Sequence, residues 1–147
     1  MKRNVLSLAI AATFFLLFAA GEVYTFTNGA PAGRSGGAGE STCATSSCHS
    51  GTLNSGPGSV TLSSDAMGNV YTPGMTYTIT VEVAETGVSR FGFEVLSAYS
   101  STVNASVGNT SITSSSETKL LTANNKKYVT QITNGSLGTD TRTWSFA

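Results

Sequence analysis

The chain is 147 residues long and carries eight basic and eight acidic side chains, so its formal net charge is zero. This balance leaves no electrostatic footprint for nucleic acid or for an anionic membrane surface, and we expect no nucleic-acid partner. Only 11% of the residues are charged, and the polar positions are mostly Ser, Thr, Gly and Asn, which suit short strands and turns. The composition therefore predicts an all-β, extracytoplasmic protein.

The N-terminus has the pattern of a secretory signal. Lys2 and Arg3 precede an apolar run over residues 5–20, and small residues that a signal peptidase accepts stand before Glu22. The run is shorter than the ~20 residues that a membrane-spanning helix needs. We predict a cleaved signal peptide over residues 1–21 and a secreted, periplasmic or cell-surface location. An uncleaved signal segment would be the only membrane attachment.

Residues 22–58 form a segment rich in Gly, Ser, Ala and Pro. The segment has no helical or strand periodicity, so it cannot supply a hydrophobic core of its own. Its glycines allow the backbone to approach a flat or bulky group closely, whereas a plain spacer would need no cysteines. This contrast favours a segment that wraps a ligand.

Both cysteines and the only histidine lie within seven positions, as Cys43, Cys48 and His49. Two thiols followed at once by an imidazole is the order in which a c-type haem is attached. The thiols add to the two vinyl groups and the histidine binds the iron. The usual gap between the cysteines is two residues and here it is four. The pattern predicts covalent haem c on Cys43 and Cys48, with His49 as the proximal iron ligand.

Two other interpretations of these three residues stay open. A short Cys43–Cys48 disulfide explains the cysteines without a cofactor, although it leaves His49 and the glycines unexplained. Export permits both outcomes, since an oxidising compartment allows a disulfide and haem attachment alike. A zinc site is disfavoured because structural zinc usually takes four protein ligands and the chain has no further Cys or His.

A haem would also need a candidate for the sixth iron position. Met67 and Met75 are the only methionines beyond the signal segment, and a thioether ligand raises the reduction potential relative to a second imidazole. We favour Met67 because it lies on a loop that could fold back over the glycine-rich segment. The commoner role of a methionine is to fill space. An open position or a ligand from another subunit is equally compatible.

From residue 59 the pattern changes to short alternating runs, which predict a β-sandwich domain over residues 59–147. The clearest strands are residues 76–83 and 90–98, and a third strand is expected over residues 126–133. The polar stretch 100–116 indicates weak strands joined by turns. The predicted sandwich core contains the aromatic residues Tyr77, Phe91, Phe93, Tyr128 and Trp144.

Four pieces of this half resemble the Reeler (reelin-type) domain, an immunoglobulin-like β-sandwich. They are YTPGMTYTITV (71–81), FGFEV (91–95), KYVT (127–130) and WSF (144–146). The first half is similar to the segment that precedes such domains in secreted bacterial proteins, on the pieces GAPAGR (29–34), GESTC (39–43) and CHSGT (48–52). The resemblance implies an exported protein with a cytochrome-like motif and no assigned activity.

The chain departs from this family pattern in two places. Family members often carry a histidine after Tyr-Val-Thr, and here the position is Gln131, so the resemblance implies no bis-histidine iron site from this chain alone. The domain also normally continues past the WSF piece through one or two strands. Trp144 and Phe146 begin an alternating strand that the chain does not continue, which is expected of a sandwich truncated at its C-terminus.

We predict an exported monohaem c-type cytochrome-like protein that transfers electrons or binds haem at the cell surface or in the periplasm. We expect a redox partner or a surface partner. A lone His49 flanked by cysteines is a poor hydrolase base, and no second acid or nucleophile is paired with it, so we expect no enzymatic activity. The alternative is a cell-surface binding or adhesion module with a Cys43–Cys48 disulfide and no cofactor.

Overall fold

The computed structural model describes residues 26–37, 39–44, 49, 51–99 and 102–147. The predicted signal peptide and Cys48 lie outside these residues. Within them, the chain forms eight strands and two short 3-10 turns, at Met67–Asn69 and Asn134–Ser136. In this part of the chain there is no helix with the length and apolar character needed to cross a membrane.

The strands are β1 Ser59–Ser64, β2 Ile79–Ala84, β3 Glu94–Leu96, β4 Ala98–Tyr99, β5 Thr102–Ser106, β6 Thr118–Ala123, β7 Lys126–Gln131 and β8 Thr141–Phe146. They form two three-stranded sheets, ordered β1-β2-β8 and β3-β7-β6, and a two-stranded ladder of β4 and β5. All pairings are antiparallel. This all-β, sandwich-like architecture confirms the predicted fold class.

The hydrophobic core draws on both three-stranded sheets. Its buried members are Val81 of β2, Val129 of β7, Trp144 and Phe146 of β8, and Phe91. Because each apolar side chain of this size contributes about 1.5–3 kcal/mol when it is fully buried, these residues hold the two sheets together. The prediction is therefore right for Phe91 and Trp144.

The other predicted core aromatics have different surroundings. Phe93 is partly buried and packs on the core, with its ring centroid 4.5 Å from that of Trp144. Tyr77 is half-buried, and its hydroxyl oxygen accepts a hydrogen bond of 2.8 Å from the backbone N–H of Thr72. Tyr128 is buried, but it lies outside the core cluster. A phenol needs a polar partner when it is buried, and this requirement places the two tyrosines at the edge of the core or beyond it.

Strand β7 is buried on both faces. The predicted alternation puts Tyr128 and Thr130 on the face opposite to Val129 and Gln131, and all four residues are less than 5% exposed. Val129 belongs to the core between the sheets, whereas Tyr128 contacts the N-terminal segment through Glu40. The glycine-rich segment therefore covers the face of β7 that points away from the core.

Three strands differ from the prediction. The strand expected over residues 90–98 is divided between β3 and β4, and Phe91 and Phe93 precede β3.

Strand β6 is not among the predicted strands, although Asn124 and Asn125, both with positive φ (50° and 60°), join it to β7 through a two-residue turn. Consecutive left-handed residues of this kind mark a hairpin, so the Asn-Asn pair was the available signal. In β8, Trp144 and Phe146 stand at the end of the strand, because the polar residues from Thr141 onward already pair with β2.

Strand β1 forms an edge of its sheet. Val60 is paired with Val83 and Leu62 with Val81 across the β1–β2 ladder. Directly paired residues project from the same face of a sheet, so Val60 and Leu62 share the face of the core residue Val81. They are nevertheless 72% and 62% exposed, which means that the opposite sheet does not extend beneath β1.

Candidate functional site

Glu40 lies in a tight turn that comes directly before Cys43 in the chain. Ser35 and Thr42 form an antiparallel bridge, and within it the N–H of Gly36 donates to the carbonyl of Ser41 at 3.1 Å. The N–H of Glu40 donates to the carbonyl of Gly37 at 2.9 Å. These backbone hydrogen bonds give the segment a defined shape that it could not obtain from apolar side chains.

The carboxylate of Glu40 joins this turn to β7. It accepts hydrogen bonds from Lys126 Nζ at 2.7 Å, the Tyr128 hydroxyl at 2.6 Å and the Ser35 hydroxyl at 2.5 Å. The Glu40 side chain is only 4% exposed and that of Lys126 is 12% exposed, so the ion pair is largely removed from water. Hydrogen bonds to an ionised group in such surroundings are about twice as strong as neutral ones.

Two effects on the pKa of Glu40 oppose each other. Burial raises the pKa, whereas the hydrogen bonds from Lys126, Ser35 and Tyr128 and the charge of Lys126 lower it, and the net pKa is below the ordinary value of 4.5. The pKa of Tyr128 is raised, first by burial and then by its hydrogen bond to the Glu40 carboxylate. At neutral pH the cluster therefore contains an ionised Glu40 and a protonated phenol.

The backbone of the segment lies close to β7 at Gly29. Its φ is +91°, and a Cβ added there would lie 2.6 Å from Thr130 Cγ2 and 2.7 Å from the carbonyl oxygen of Gln131. Both the backbone conformation and the space require glycine at this point. The GAPAGR piece, whose first residue is Gly29, thus begins where the segment meets the sheet.

A second polar contact joins the segment to β3. The N–H of Arg34 donates to Glu94 Oε1 at 2.6 Å. Arg34 Nε and Glu94 Oε2 are both buried and have no hydrogen-bond partner. Burial, more than any other cause, raises the pKa of Glu94, and the nearby charge of Glu40 adds to this effect, while the N–H of Arg34 opposes it.

Cys43 and His49 are brought together by the backbone. The N–H of His49 donates to the carbonyl of Cys43 at 3.1 Å. Both residues are exposed, and both line the same cavity. Cys43 and His49 therefore lie close together even though four residues separate the two cysteines.

The cavity has a volume of about 670 Å³ and lies between the N-terminal segment and the sandwich. Ligand sites usually measure about 300–1,000 Å³. Its walls are mainly apolar and aromatic, with two arginines. The lining residues are Phe26, Thr27, Ala30, Pro31, Arg34, Cys43 and His49 from the segment, and Arg90, Phe91, Gly92, Phe93, Gln131 and Ser136 from the sandwich.

The residues around the cavity fit a covalently held haem in three respects. The lining includes a cysteine and the histidine, it includes the rings of three phenylalanines, and Arg34 of the lining has a buried guanidinium nitrogen without a partner. An apolar wall with few polar groups is what a large planar ligand requires. Cys48 lies outside the described residues, so the second attachment point stays a prediction.

The two candidate sixth ligands lie elsewhere. Met67 is 91% exposed and Met75 is 64% exposed, and neither is among the described residues that line the cavity. Gln131, at the position that follows Tyr-Val-Thr, does line it. Gln131 Oε1 accepts hydrogen bonds from the N–H of Phe93 at 2.9 Å and from the Thr130 hydroxyl at 3.1 Å, which fixes the amide at the cavity wall.

The zinc alternative gains no support. Across the residues that the structure describes, no group of three or more His, Cys, Asp or Glu side chains could hold a metal ion. A zinc site would need Cys48 together with Cys43 and His49, and that cysteine is not described. The prediction against zinc therefore still depends only on the number of Cys and His ligands that the chain offers.

Sequence patterns do not single out several residues of this site, among them Phe26, Arg34, Glu40 and Arg90. Arg34 and Glu40 are part of the GAPAGR and GESTC pieces, which served only to define the resemblance. An ionisable residue inside a glycine-rich, weakly charged segment was the available signal for both. Arg90 had no such signal, because its place at the cavity depends on the fold.

Comparison with known proteins adds no relative. No family model matches the chain, and no curated protein or solved structure is similar enough to it to count as a match. The functional argument therefore depends on the residues of the chain itself.

Proposed function

We propose that the protein is an exported monohaem c-type cytochrome-like protein that transfers single electrons at the cell surface or in the periplasm. The observation that carries the proposal is that Cys43 and His49 line one cavity together with the aromatic residues Phe26, Phe91 and Phe93. A disulfide alone would need neither the histidine nor the cavity. The motif pieces quoted above support assignment of the sandwich to the Reeler type.

Each residue of the proposed site has a distinct part. The thiols of Cys43 and Cys48 attach the haem, and His49 binds its iron through an imidazole nitrogen. Phe91 and Phe93 exclude water from the face that they cover, which favours a compact, weakly hydrated site. The haem supplies one-electron chemistry when it is bound.

Glu40 is not among the described residues that line the cavity, but its contacts hold the segment that carries Cys43. Glu40 precedes Cys43 by three positions and is held by Lys126 and Tyr128 of β7. Fixing the backbone just before the first attachment point reduces the freedom that the loop would lose when a ligand is bound. The segment and the sandwich then act as two walls of one binding site.

The proposal is tested by producing the chain with a haem-maturation system. We expect a Soret band and a mass increase equal to one haem after denaturation, and Cys48→Ser or Cys43→Ser should reduce the covalently bound fraction strongly. Thr86→Ala, on an exposed turn of the sandwich, is the control and should leave haem content unchanged. A chain without a Soret band, whose thiols react with iodoacetamide only after reduction, would instead favour the adhesion module with a disulfide.

His49→Ala separates attachment from iron binding. Thioether formation depends on the cysteines and iron ligation on the imidazole, so the variant should keep the covalent mass but lose the visible absorption spectrum of the parent. Added imidazole should restore that spectrum. A spectrum identical to that of the parent would show that His49 is not the proximal ligand.

The sixth ligand stays a prediction with its own test. Met67 and Met75 are both exposed, so either side chain would have to move to reach the cavity. With Met67 as ligand, Met67→Ala should abolish the methionine–iron charge-transfer band and lower the reduction potential, and Met75→Ala should do neither. If neither substitution changes the spectrum, no methionine of this chain is the ligand.

A further inference from the structure

The charges in the cavity wall are all of one sign. Among the lining residues that the structure describes, Arg34 and Arg90 carry permanent positive charges and no Asp or Glu is present. The chain as a whole has a formal net charge of zero, so this excess is local. A cavity with apolar walls and two guanidinium groups selects a ligand with an apolar body and negatively charged groups.

The arginines also have unused hydrogen-bonding capacity. Arg34 Nε is buried without a partner, although Glu94 is close enough to accept a hydrogen bond from the Arg34 backbone. Glu94 Oε2 is likewise without a partner, so the two side chains do not satisfy each other. A buried donor of this kind is costly unless a ligand supplies the acceptor.

Arg90 approaches the cavity from the sandwich side. Its Nη1 makes one long hydrogen bond of 3.3 Å to the Ser136 hydroxyl, and the residue is otherwise exposed. The guanidinium group offers five N–H donors in a fork that matches a carboxylate, so most of its donors are available for a ligand.

We propose that Arg34 and Arg90 bind the carboxylate groups of the ligand whose apolar body occupies the cavity. The inference deepens the proposed function, under which these groups are the two propionates of the haem. The same chemistry is found in a long-chain fatty acid, which has one carboxylate on an apolar chain. Guanidinium–carboxylate hydrogen bonds are short and charge-assisted, and they would orient the ligand as well as hold it.

The test uses the protein produced without haem maturation, so that it does not depend on thioether formation. Protoporphyrin IX, its dimethyl ester and palmitate are each titrated, with quenching of Trp144 fluorescence for the porphyrins and competition for palmitate. We expect the diacid porphyrin to bind about tenfold or more tightly than the ester. Arg34→Gln and Arg90→Gln should each reduce this preference, and the double variant should abolish it.

Control variants distinguish a folding defect from the loss of an arginine–carboxylate contact. Lys119→Gln removes a positive charge from β6, outside the described cavity lining, and should leave the preference unchanged. Arg34→Lys keeps the charge and should restore part of the preference. Arg90→Gln alters an exposed side chain and tests the inference even if the Arg34 variants fold poorly.

The outcomes separate the arginine site from the proposed function. Equal affinity for the diacid and the ester in the parent protein, or a preference that survives in the double variant, overturns the arginine site. Tighter binding of palmitate than of either porphyrin, weakened in the double variant, supports the arginine site and contradicts the haem. In the matured holoprotein, Arg90→Gln should lower the reduction potential, since it removes a positive charge that the proposal places beside a propionate of the haem.

Discussion

Glu40 makes contacts with two parts of the chain that are far apart in sequence. Its carboxylate binds Ser35 within its own turn and Lys126 and Tyr128 on β7. Removal of one partner of a buried ion pair leaves the other charge uncompensated, which is why such pairs are sensitive to substitution even when their net contribution is small.

We therefore expect Glu40→Gln to lower the free energy of unfolding by about 2–4 kcal/mol at pH 7, because Lys126 loses its counter-ion in a buried setting. Urea denaturation followed by Trp144 fluorescence measures the change. Glu82→Gln, at an exposed position of β2, is the control and should stay within about 0.5 kcal/mol of the parent. A loss equal to that of the control would contradict the ion pair.

The pKa of Glu40 also gives the pH dependence a definite sign. Since the pKa is lowered in the folded state, the stability that the ionised carboxylate contributes is present above the unfolded value, near 4.5, and is lost as pH falls through the folded value. Glu94, whose pKa burial raises, acts in the opposite direction. The stability difference between the parent and Glu40→Gln should accordingly shrink as pH falls below 4.5, and a constant difference from pH 7 to pH 3 would refute this account.

Gly135 gives a second prediction at a single residue. A Cβ there would overlap the backbone carbonyl of Glu117, and the carbonyl of Gly135 accepts hydrogen bonds from Trp144 Nε1 at 2.8 Å and Arg142 Nε at 3.1 Å. Gly135→Ala should lower the free energy of unfolding by about 1–3 kcal/mol and change the near-ultraviolet circular dichroism of Trp144.

Gly56→Ala is the matched control for this change. Nothing lies within 4 Å of a Cβ at Gly56, and its φ is not in the left-handed region. We expect a stability within about 0.5 kcal/mol of the parent. Equal effects of the two substitutions would mean that the packing around Gly135 is looser than the structure indicates.

At the scale of elements, β1 and β2 are joined by a full ladder but differ in burial. Leu62 is 62% exposed and its cross-strand partner Val81 is 1% exposed. Leu62→Ala should therefore change the free energy of unfolding by less than about 0.5 kcal/mol, whereas Val81→Ala should cost about 2 kcal/mol in the same urea titration. A larger cost for Leu62 would reveal a partner that covers β1 in solution.

What the sequence could predict depended on the distance along the chain over which each signal acts. The alternation in residues 76–83 and 126–133 located β2 and β7, because side-chain period is a local property. The closeness of Cys43 and His49 was also predictable, since they are six positions apart. The cavity was not, because Phe91, Phe93 and Gln131 reach Cys43 only through the sandwich fold.

The burial of both faces of β7 shows the same limit. The local sequence of β7 does not indicate which residues cover Tyr128, because the covering segment lies more than 80 positions earlier in the chain. A weakly apolar, glycine-rich segment was expected to wrap a ligand. The segment also contacts a face of the sheet. It does so through polar groups, which a hydrophobic periodicity in the sequence does not reveal.

At the scale of the whole molecule, β7 is the structural centre. It is the middle strand of its sheet, and it is packed between the core and the N-terminal segment. We expect its amides to be among the slowest to exchange with deuterium, at a rate set by global unfolding, while residues 51–58, which are exposed throughout, exchange by local opening. Equal protection of the two regions would contradict this arrangement.

Glu40 and Gly29 together restrict how the motif could be transplanted into another protein. A peptide containing only residues 43–49 would carry the reactive groups without the turn, the close approach or the ion pair that position them. The smallest transferable unit is the segment together with the face of β7 that it covers, including Lys126, Tyr128 and Thr130. An engineer who wished to move this site would have to graft a strand along with the loop.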